Sequence, residues 1–592
     1  MYDLGFDIKP VKGLIISGQG VFKGYEYKSK SYTALQPNAI NYFSGEEIVG
    51  TGVTKNKMSM DWQSTNTMLY TATARYDWSN DKHSVGALVG TSYEHYKYER
   101  LAGSREEFPS DALTDMEAGS TSGAGYTNGA GSSEYKMLSY FARVNYTLMD
   151  RYLLEVNMRA DASSLCHKDH RWGYFPSFSA GWRMNEEGFM KDIEWINNLK
   201  IRASYGTLGN INNVGNYDYF QNYSSGNHYN FSDSPVIGIG ESKPANETLG
   251  WEKVALTDIG LDFDIFNGLL GVTADYYIKN TSDILLGYNV PTETGITAAP
   301  SQNIGKVKNT GFELALNHRN KIGAVNYSIG ANIATNKNKI TNLGGSDNII
   351  QTSSYIVKYI LKKGESIGSF YGFKTDGLYT QADIDAGHYY TLSGVVPNAG
   401  DVKFVPQRDI EYKQEITDED RTILGKDVPD FTYGVNLSLQ YKGFEFSMFG
   451  QGISGTKVAF DVYGVHPFYH GQDNPRKYHL KRWTEENPNP YAAYPRLYSA
   501  SSVHTTYNRN FSDYHLFDSD YFRFKTLSLG YTVPSATVKS WGLQSLKVYV
   551  TGENLFTVRA DKKMEDFDPE TAGGVIYTLG TKSVAFGVNI SF

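Results

Sequence analysis

The feature that most constrains this chain is a two-residue alternation of apolar with small or polar residues, which returns along its whole length. The final ten residues, SVAFGVNISF, show it: one row holds Val584, Phe586, Val588, Ile590 and Phe592, and the other holds Ala, Gly, Asn and Ser. Successive side chains of a β-strand point to opposite faces, so each such segment predicts a strand with one apolar face. The segments run for about 9 to 14 residues, the length of a tilted strand that crosses a bilayer.

The second row of these segments is polar on strand after strand, which distinguishes the pattern from that of a soluble β-sandwich. In FTYGVNLSLQY, the apolar row begins with Phe431 and Tyr433 and ends with Tyr441. Aromatic rings at both ends of an apolar row are typical of a barrel in lipid, where they lie at the two interfaces. An open edge would leave backbone groups unpaired in hydrocarbon, so such strands must close into a barrel. The mean hydropathy of −0.43 agrees, since only every second residue of each strand would meet lipid.

The connections between these segments alternate between short and long. Short turns are predicted near residues 10–12, 79–82, 149–151, 266–268, 319–323 and 442–443. Long connections are predicted at about 33–57, 102–134, 209–250, 282–302, 340–429, 456–517 and 559–580. Outer-membrane barrels have short periplasmic turns and long external loops, so this alternation supports a membrane barrel.

We count about 17 strands, starting near Tyr2. Single-chain bacterial barrels normally have an even number of strands, so the odd count predicts the C-terminal part of a larger protein. Roughly five further strands would complete a 22-stranded barrel, a size that encloses a plug. The expected fold class is all-β: residues 1–592 form a partial transmembrane antiparallel barrel with long extracellular loops at about 209–250, 340–429 and 456–517, without plug domain or signal peptide.

Composition and missing motifs argue against several classes of function. The net charge of −8 gives no basic surface for nucleic acid, and a single cysteine excludes a disulfide framework. No apolar run approaches the roughly 18 residues of a membrane helix. The sequence has no G-x-S-x-G, H-E-x-x-H or phosphate-loop motif, so we predict that the chain is not an enzyme and needs no cofactor.

Eight stretches of the chain, in their order and spacing, resemble the SusC/RagA-type TonB-dependent outer-membrane transporters. They are RASYGTLGN (202–210), NETLGWEKVALTDIGLDFDIFNGLLGVTADYYIKNTSDILL (246–286), NIGKVKNTGFELALNHRNK (303–321), SIGSFYGFKTDGLY (366–379), DFTYGVNLSLQYKGFEFSMFGQG (430–452), RWTEENPNP (482–490), DYFRFKTLSLGYTVP (520–534) and LKVYVTGENLFT (546–557). The resemblance implies import of oligosaccharides or peptides across the bacterial outer membrane. It also implies a SusD-like surface lipoprotein as a lid and the TonB–ExbB–ExbD complex as the energy source, acting through an N-terminal part.

The chain departs from this family at two places. The family carries a signal peptide, a TonB-contacting segment and a plug ahead of its barrel, and the residues here begin directly in strand-like alternation. The family also often has an aspartate-rich D-x-N-G-D-G-like loop before a D-R-T-I-[IL]-G stretch. The second part is present as DRTILG at 420–425, but the first reads RDIEYKQE at 408–415. Without the glycine and alternating carboxylates of a calcium loop, we predict no metal there.

Three groups of residues are candidates for function. The C-terminal apolar row, by resemblance, is the signal read by the outer-membrane assembly machinery; it comprises Phe586, Val588, Ile590 and Phe592. Aromatic loop residues offer faces for substrate or lid contact, with packing inside the long loops as the alternative; they are Tyr371, Tyr469, Trp483, Tyr491 and Tyr494. Carboxylates in the polar rows are expected to face the lumen; they are Asp262, Asp264, Asp275 and Glu313.

One further cluster, CHKDH at 166–170, has side chains of the type that ligate metals. It has no partner cluster elsewhere in the sequence, so we interpret it as a solvated loop.

Two other functions remain open from the sequence. A passive porin-like channel would have an even strand count and a constricting loop. A soluble all-β carbohydrate-binding protein would bury the apolar rows in its core.

Overall fold

A computed structural model describes residues 1–592 except 124, 232–233, 288–292, 294–300, 353–355, 461–464, 469–474 and 571–579. The chain divides into two compact units. Unit 1 comprises Met1–Ala180, Gly206–Val254 and Asp283–Asn303, and unit 2 comprises Gly181–Tyr205, Ala255–Ser282 and Ile304–Phe592.

The strands that lie wholly or partly in unit 1 are long and antiparallel. They are β1 (Tyr2–Ile8), β2 (Leu14–Thr33), β3 (Lys57–Ser79), β4 (His83–Glu106), β5 (Thr127–Leu148), β6 (Tyr152–Ser163), β7 (Trp172–Arg183), β8 (Ile196–Asn210), β9 (Asn222–Phe231), β10 (Ser234–Lys243), β11 (Glu252–Ile265), β12 (Leu270–Gly287) and β13 (Ser301–Ile322). Strands β1 to β6 pair in chain order, each with the next. Sequential antiparallel pairing is the meander that short turns produce.

Unit 2 holds the remaining strands and parts of β7, β8 and β11 to β13. The remaining strands are β14 (Val325–Thr335), β15 (Lys337–Leu343), β16 (Asn348–Thr352), β17 (Lys358–Lys362), β18 (Ser369–Gly372), β19 (Lys374–Leu378), β20 (Thr391–Leu392), β21 (Val402–Val405), β22 (Glu415–Ile416), β23 (Thr422–Lys426), β24 (Phe431–Tyr441), β25 (Phe444–Ser454), β26 (Lys457–Ala459), β27 (Leu516–Asp518), β28 (Tyr521–Thr532), β29 (Ser545–Arg559) and β30 (Ser583–Ser591). The main ladder pairs β13, β14, β24, β25, β28, β29 and β30, each antiparallel to the next.

The strand count agrees with the sequence. Among the described residues, eighteen strands carry the large antiparallel ladders. Strands β14 and β15 are separated only by Asn336, and both pair with β13. They therefore count as one interrupted strand, which leaves seventeen, as predicted.

The lengths of several strands differ from the prediction. Strands β2 to β5 have 20, 23, 24 and 22 residues, against the 9 to 14 expected. In β2 the additional residues EYKSKSYT (26–33) are polar or charged on both rows apart from their tyrosines. Alternation of apolar and polar residues occurs only in the part of a strand where one face meets an apolar surrounding. It therefore does not predict a polar extension of the same strand.

Short turns adopt the left-handed backbone that tight hairpins need. At the β11–β12 turn, Phe266, Asn267 and Gly268 have φ values of 50°, 58° and 82°. At the β24–β25 turn, Lys442 and Gly443 have φ values of 46° and 89°. Two successive positive φ values match the right-handed twist of the flanking strands, which is why Asn-Gly and Lys-Gly stand here.

Long connections carry most of the helices and all of the small sheets. The α-helices are α1 (Gln381–Asp385), α2 (Val503–Asn508) and α3 (Ser535–Lys539). The segment 209–250, predicted to be a long loop, contains the antiparallel strands β9 and β10. Of the helices in the described ranges, none has the length and apolar character required to cross a bilayer.

The apolar residues of the strands and of the connections have different surroundings. The buried hydrophobic clusters lie mainly in the connections and at strand ends. On β30 the apolar row is exposed instead, with Phe586 84% accessible, and Phe592 directly after the strand is 83% accessible. The rows that the sequence predicted to be oily therefore do not form the interior of either unit.

The prediction for CHKDH was partly wrong. Lys168, Asp169 and His170 are exposed, but Cys166 is fully buried in a cluster with Leu165, Phe175, Leu249 and other residues of unit 1. Burial raises the pKa of the Cys166 thiol to about 12. The cysteine acts as a small apolar residue, a use that the neighbouring polar sequence obscured.

Candidate functional site

The long connections of unit 2 pack into one structure, which we call the loop body and define as the described residues of 344–430, 455–520 and 560–570. Its largest core joins the first two segments and comprises Phe373, Leu378, Leu392, Ala399, Val402, Phe404, Ile416, Trp483, Ala492 and Tyr507. Backbone bonds also connect the segments: the amide of Phe373 donates to the carbonyl of Phe511 at 3.0 Å, and that of Leu378 to Pro490 at 2.8 Å. Connections of this length stay ordered because they bury their own apolar side chains.

A buried carboxylate ties the two longest segments together. Asp401 accepts hydrogen bonds from His504 Nδ1 at 2.7 Å, from Asn508 Nδ2 at 2.9 Å and from the amide of Asn398 at 2.7 Å. Asn508 returns a bond by accepting from the amide of Val402 at 2.8 Å. A charge without solvent needs this many donors to be tolerated, so the segments 398–402 and 504–508 are held in one arrangement.

A second buried carboxylate organises the stretch between RDIEYKQE and DRTILG. Asp420 is 0% exposed and forms an ion pair with Arg408, whose Nη2 lies 2.7 Å from Oδ2. The amides of Gln407 and Thr417 also donate to it, at 3.0 and 2.9 Å. Burial alone would raise the pKa of Asp420, but the bonds from Arg408 and the amides outweigh it and lower the pKa to about 2. Arg408 therefore supplies the positive charge that stabilises this carboxylate.

A third group of charges fixes the segment after β29. Arg523, on β28, contacts Asp568 at 2.7 Å and Glu570 at 2.8 Å. Lys525 contacts the same Glu570 at 2.8 Å. Two cations thus neutralise two carboxylates where residues 568–570 lie against the barrel strand.

A cavity of about 370 Å³ lies beside this last group. Its wall comprises Tyr359, Phe370, Asp427, Gln451, Ile453, Thr456, Lys457, Val458, Ser519, Tyr521, Pro569 and Glu570. Strands β25 and β28 supply one side, and the loop body supplies the other. The size and the mixture of aromatic and polar side chains are typical of a small-molecule site.

Two of the four carboxylates predicted to face the lumen, Asp262 and Asp275, meet around one arginine. Arg202 on β8 contacts Asp258 at 3.3 Å, Asp262 at 3.3 Å and Asp275 at 2.6 Å. Asp264 accepts instead from Asn198 Nδ2 at 3.1 Å. Gly260 gives the guanidinium its room, because an added Cβ would overlap Arg202 and Asp275.

Glu313 lies outside this group of contacts. Sequence reasoning missed Arg202, although its place in the same row as Lys200, two residues earlier on β8, was a usable signal. The lumen assignment of all four carboxylates stays a prediction.

The aromatic candidates fall in different surroundings. Trp483 is 5% exposed within the largest core of the loop body, with the Arg496 guanidinium 5.4 Å from its ring centroid. Tyr494 is half-buried, and its hydroxyl lies 3.0 Å from His466 Nδ1. Tyr371 is also half-buried, whereas Tyr491 is 75% exposed. Tyr469 lies outside the described residues.

Residues 2–555 match the family model described as TonB dependent receptor-like, beta-barrel. The chain belongs to this family. Its strands and their exposed apolar rows are those of an outer-membrane β-barrel protein.

Curated TonB-dependent receptors are similar to most of the chain. TonB-dependent receptor P3 of Formosa agariphila is 29% identical over 544 residues, which cover 90% of this chain and 52% of that protein. TonB-dependent receptor SusC of Bacteroides thetaiotaomicron is 28% identical over 467 residues, covering 77% of this chain and 43% of SusC. The chain thus spans about half the length of the curated relatives that it matches.

A solved structure of the RagAB peptide transporter has the same fold. It aligns with a TM-score of 0.79 and 25% identity, over 99% of this chain and 61% of that one. The predicted resemblance to SusC/RagA-type TonB-dependent transporters is confirmed, and so is the all-β antiparallel class.

Proposed function

We propose that this chain is the barrel part of a SusC/RagA-type nutrient importer of the outer membrane. The complete importer would take up oligosaccharides or peptides with a SusD-like surface lipoprotein and draw energy from TonB, ExbB and ExbD. The residues of this chain supply the wall in the lipid and the external surface that receives the substrate. They carry out binding and guidance rather than bond-breaking chemistry.

The observation that carries this proposal is the exposure of the apolar rows on strands that pair as a long meander. Phe586, Val588 and Ile590 are exposed on β30, and Leu529 and Phe556 on β28 and β29. Isolated apolar side chains at a surface are ordinary, but apolar side chains exposed on three consecutive strands need an apolar surrounding. The family match makes that surrounding the outer membrane.

The loop body supports the receiving role. Its segments are ordered by buried cores and by the Asp401 and Asp420 networks, so it presents a fixed surface. On this surface exposed Tyr491 would contact the lid or the substrate, whereas buried Trp483 and half-buried Tyr494 would stabilise the loop body. Tyr371 keeps the same proposed role at lower exposure.

The carboxylates around Arg202 fit the polar wall of a passage. Because Arg202 compensates Asp258, Asp262 and Asp275, this wall is polar without being strongly anionic. Such a wall would let neutral or zwitterionic nutrients pass without a large electrostatic barrier.

The proposal is tested by uptake in the source bacterium, with the gene present and deleted. Labelled peptide and oligosaccharide mixtures are supplied, and uptake is measured with and without an uncoupler of the proton-motive force. We expect deletion to abolish uptake of one of the two classes and the uncoupler to have the same effect. Affinity purification of the tagged protein from outer membranes should also recover a surface lipoprotein.

Two results would contradict the proposal. Uptake that depends on the gene but is insensitive to the uncoupler would identify a passive channel. Recovery of the protein in the soluble fraction without detergent would exclude a membrane barrel.

A further inference from the structure

Two of the stretches that resemble the transporter family each supply one residue to the wall of the 370 Å³ cavity, Phe370 and Asp427. SIGSFYG (366–372) contributes β18 and DRTILGKD (420–427) contributes β23, and these strands pair with Ser369 opposite Lys426. Each stretch contains a glycine with positive φ, Gly368 at 68° and Gly425 at 144°. Residues with a Cβ rarely adopt this backbone, so the two positions favour glycine.

Both glycines make room for a charged side chain. The carboxylate of Asp427 lies against Gly368, where an added Cβ would overlap Oδ1. The side chain of Lys457 crosses Gly425, where an added Cβ would lie 2.7 Å from Cδ. The positions of Asp427 and Lys457 are therefore set by the backbone of the two stretches. Both side chains line the cavity.

These two charges have no ionic partner among the residues that the structure describes. Neither Asp427 nor Lys457 takes part in an ion pair or a side-chain hydrogen bond with a described side chain. Burial raises the pKa of Asp427, and a backbone hydrogen bond offsets this rise only in part. The third charged residue of the wall, Glu570, is compensated by Arg523 and Lys525. The cavity thus presents one uncompensated anion and one uncompensated cation.

We propose that this cavity binds a zwitterionic, peptide-like ligand, with its ammonium group at Asp427 and its carboxylate at Lys457. The proposal rests on the importer function above and selects peptides over oligosaccharides as the ligand class of this site. A zwitterion pairs both charges, whereas a neutral sugar would desolvate them without compensation. A volume of about 370 Å³ suits a short peptide, and Tyr359 and Tyr521 offer flat apolar walls for its backbone and side chains.

The test measures binding by isothermal titration calorimetry on the full chain, purified in detergent. Four probes are compared: dialanine, N-acetyl-dialanine, dialanine amide and maltotriose. The second lacks the ammonium group, the third lacks the carboxylate, and the fourth is a neutral oligosaccharide. We expect dialanine to bind best, each half-capped peptide to bind about tenfold more weakly, and maltotriose to show no binding.

Two charge-removing variants assign each end of the ligand. Asp427→Asn should weaken dialanine amide about tenfold and leave N-acetyl-dialanine unchanged, because only the ammonium group contacts that residue. Lys457→Gln should show the reverse pattern. A purely structural role of either residue would weaken both half-capped peptides equally. The matched control is Asp347→Asn with Lys363→Gln, two exposed charges of the loop body outside the cavity.

Three results would overturn the proposal. They are tighter binding of maltotriose than of dialanine, equal effects of the two variants on both half-capped peptides, and no binding of any peptide by the unaltered chain. Circular dichroism of each variant verifies that it is folded. Calorimetry needs neither TonB nor a lipoprotein, so a failure of the importer proposal in cells would leave this measurement unaffected. A failure to bind dialanine would likewise leave the uptake experiment in cells unaffected.

Discussion

The strands and the loop body of unit 2 treat apolar side chains in opposite ways. On the strands, Leu529, Phe556 and Val558 are exposed. In the loop body, Phe373, Tyr379 and Phe404 are almost completely buried. Both regions belong to one chain with one composition, so the difference reflects the medium around each of them. The strands are adapted to hydrocarbon and the loop body to water.

Charged side chains repeat this contrast. On the strands, Arg202 is surrounded by three aspartates on the polar row, away from the apolar row. In the loop body, Asp401 and Asp420 are fully buried and are held by hydrogen bonds from several segments. The strands therefore separate charge from lipid, and the loop body uses buried charge to fix the paths of its connections.

The largest effect is expected from removing an apolar side chain from the loop body. Phe373 is 1% exposed, and the Arg421 guanidinium lies 4.0 Å from its ring centroid. Phe373→Ala should lower the free energy of unfolding of the loop body by about 3–5 kcal/mol through lost burial and the cavity left behind. Hydrogen exchange of 370–420 measures this loss. The control Tyr491→Ala, at an exposed position, should change the free energy of unfolding of the loop body by less than about 0.5 kcal/mol. Equal losses for the two variants would contradict the difference in burial between Phe373 and Tyr491.

A charge placed on the apolar row should have the next largest effect. Leu437 lies mid-strand on β24, opposite Ile329 and Met448, and Ser438 lies opposite Ser328 and Ser447. Leu437→Arg should cost about 2–4 kcal/mol of stability in a bilayer, the cost of arginine on a lipid face near the midplane. Ser438→Arg is the control and should cost less than about 1 kcal/mol. Urea titration in lipid vesicles measures both, and a larger cost for the Ser438 variant would reverse the assignment of the two faces.

The smallest effect is a dependence on pH that should be confined to the loop body. Burial, assisted by the positive charge of Lys563, lowers the pKa of His515 from 6.5 to about 4. Between these values the unfolded chain binds a proton that the folded chain does not, so stability falls as the pH drops below about 6.5. The loss for this residue should be about 2 kcal/mol between pH 7 and pH 5.

His515→Gln provides the control for this dependence. In the variant, the stability of the loop body should fall by about 2 kcal/mol less between pH 7 and pH 5 than in the unaltered chain. The pH dependence of the stability of the strands should be unchanged. An unchanged loop-body profile in the variant would mean that the pKa of His515 is the same in the folded and the unfolded chain, which would contradict the shift caused by burial.

The sequence predicts the strands far better than the loop body. The apolar and polar residues of β24 and β30 alternate because one face of each strand meets an apolar surrounding. This alternation is visible in the short segments FTYGVNLSLQY and SVAFGVNISF alone. Short turns can also be predicted from a few neighbouring residues, because Asn267-Gly268 and Lys442-Gly443 adopt the left-handed backbone of tight hairpins without help from distant contacts. The polar end of β2 escaped prediction because pairing continues there without an apolar face.

The contacts of the loop body could not be read from the sequence because their partners are distant along it. Asp401 meets Asn508, and Phe373 meets Phe511, across more than a hundred residues. Asp427 and Lys457 belong together only because two glycines bring their side chains to one cavity. Among the aromatic candidates, the sequence could not separate buried Trp483 from exposed Tyr491, since both lie in polar, proline-rich surroundings.

If the apolar row of each strand faces hydrocarbon, spin labels placed along β24 will detect it. Single cysteines at 433–440, in a chain with Cys166→Ala, are labelled in lipid vesicles, and collision with oxygen and with a water-soluble nickel complex is measured. The account predicts a period of two, with oxygen favoured at 433, 435, 437 and 439 and nickel favoured at 434, 436, 438 and 440. Labels at 433, 435, 437 and 439 that collide with neither reagent would place the row in a dry protein interior and contradict the account.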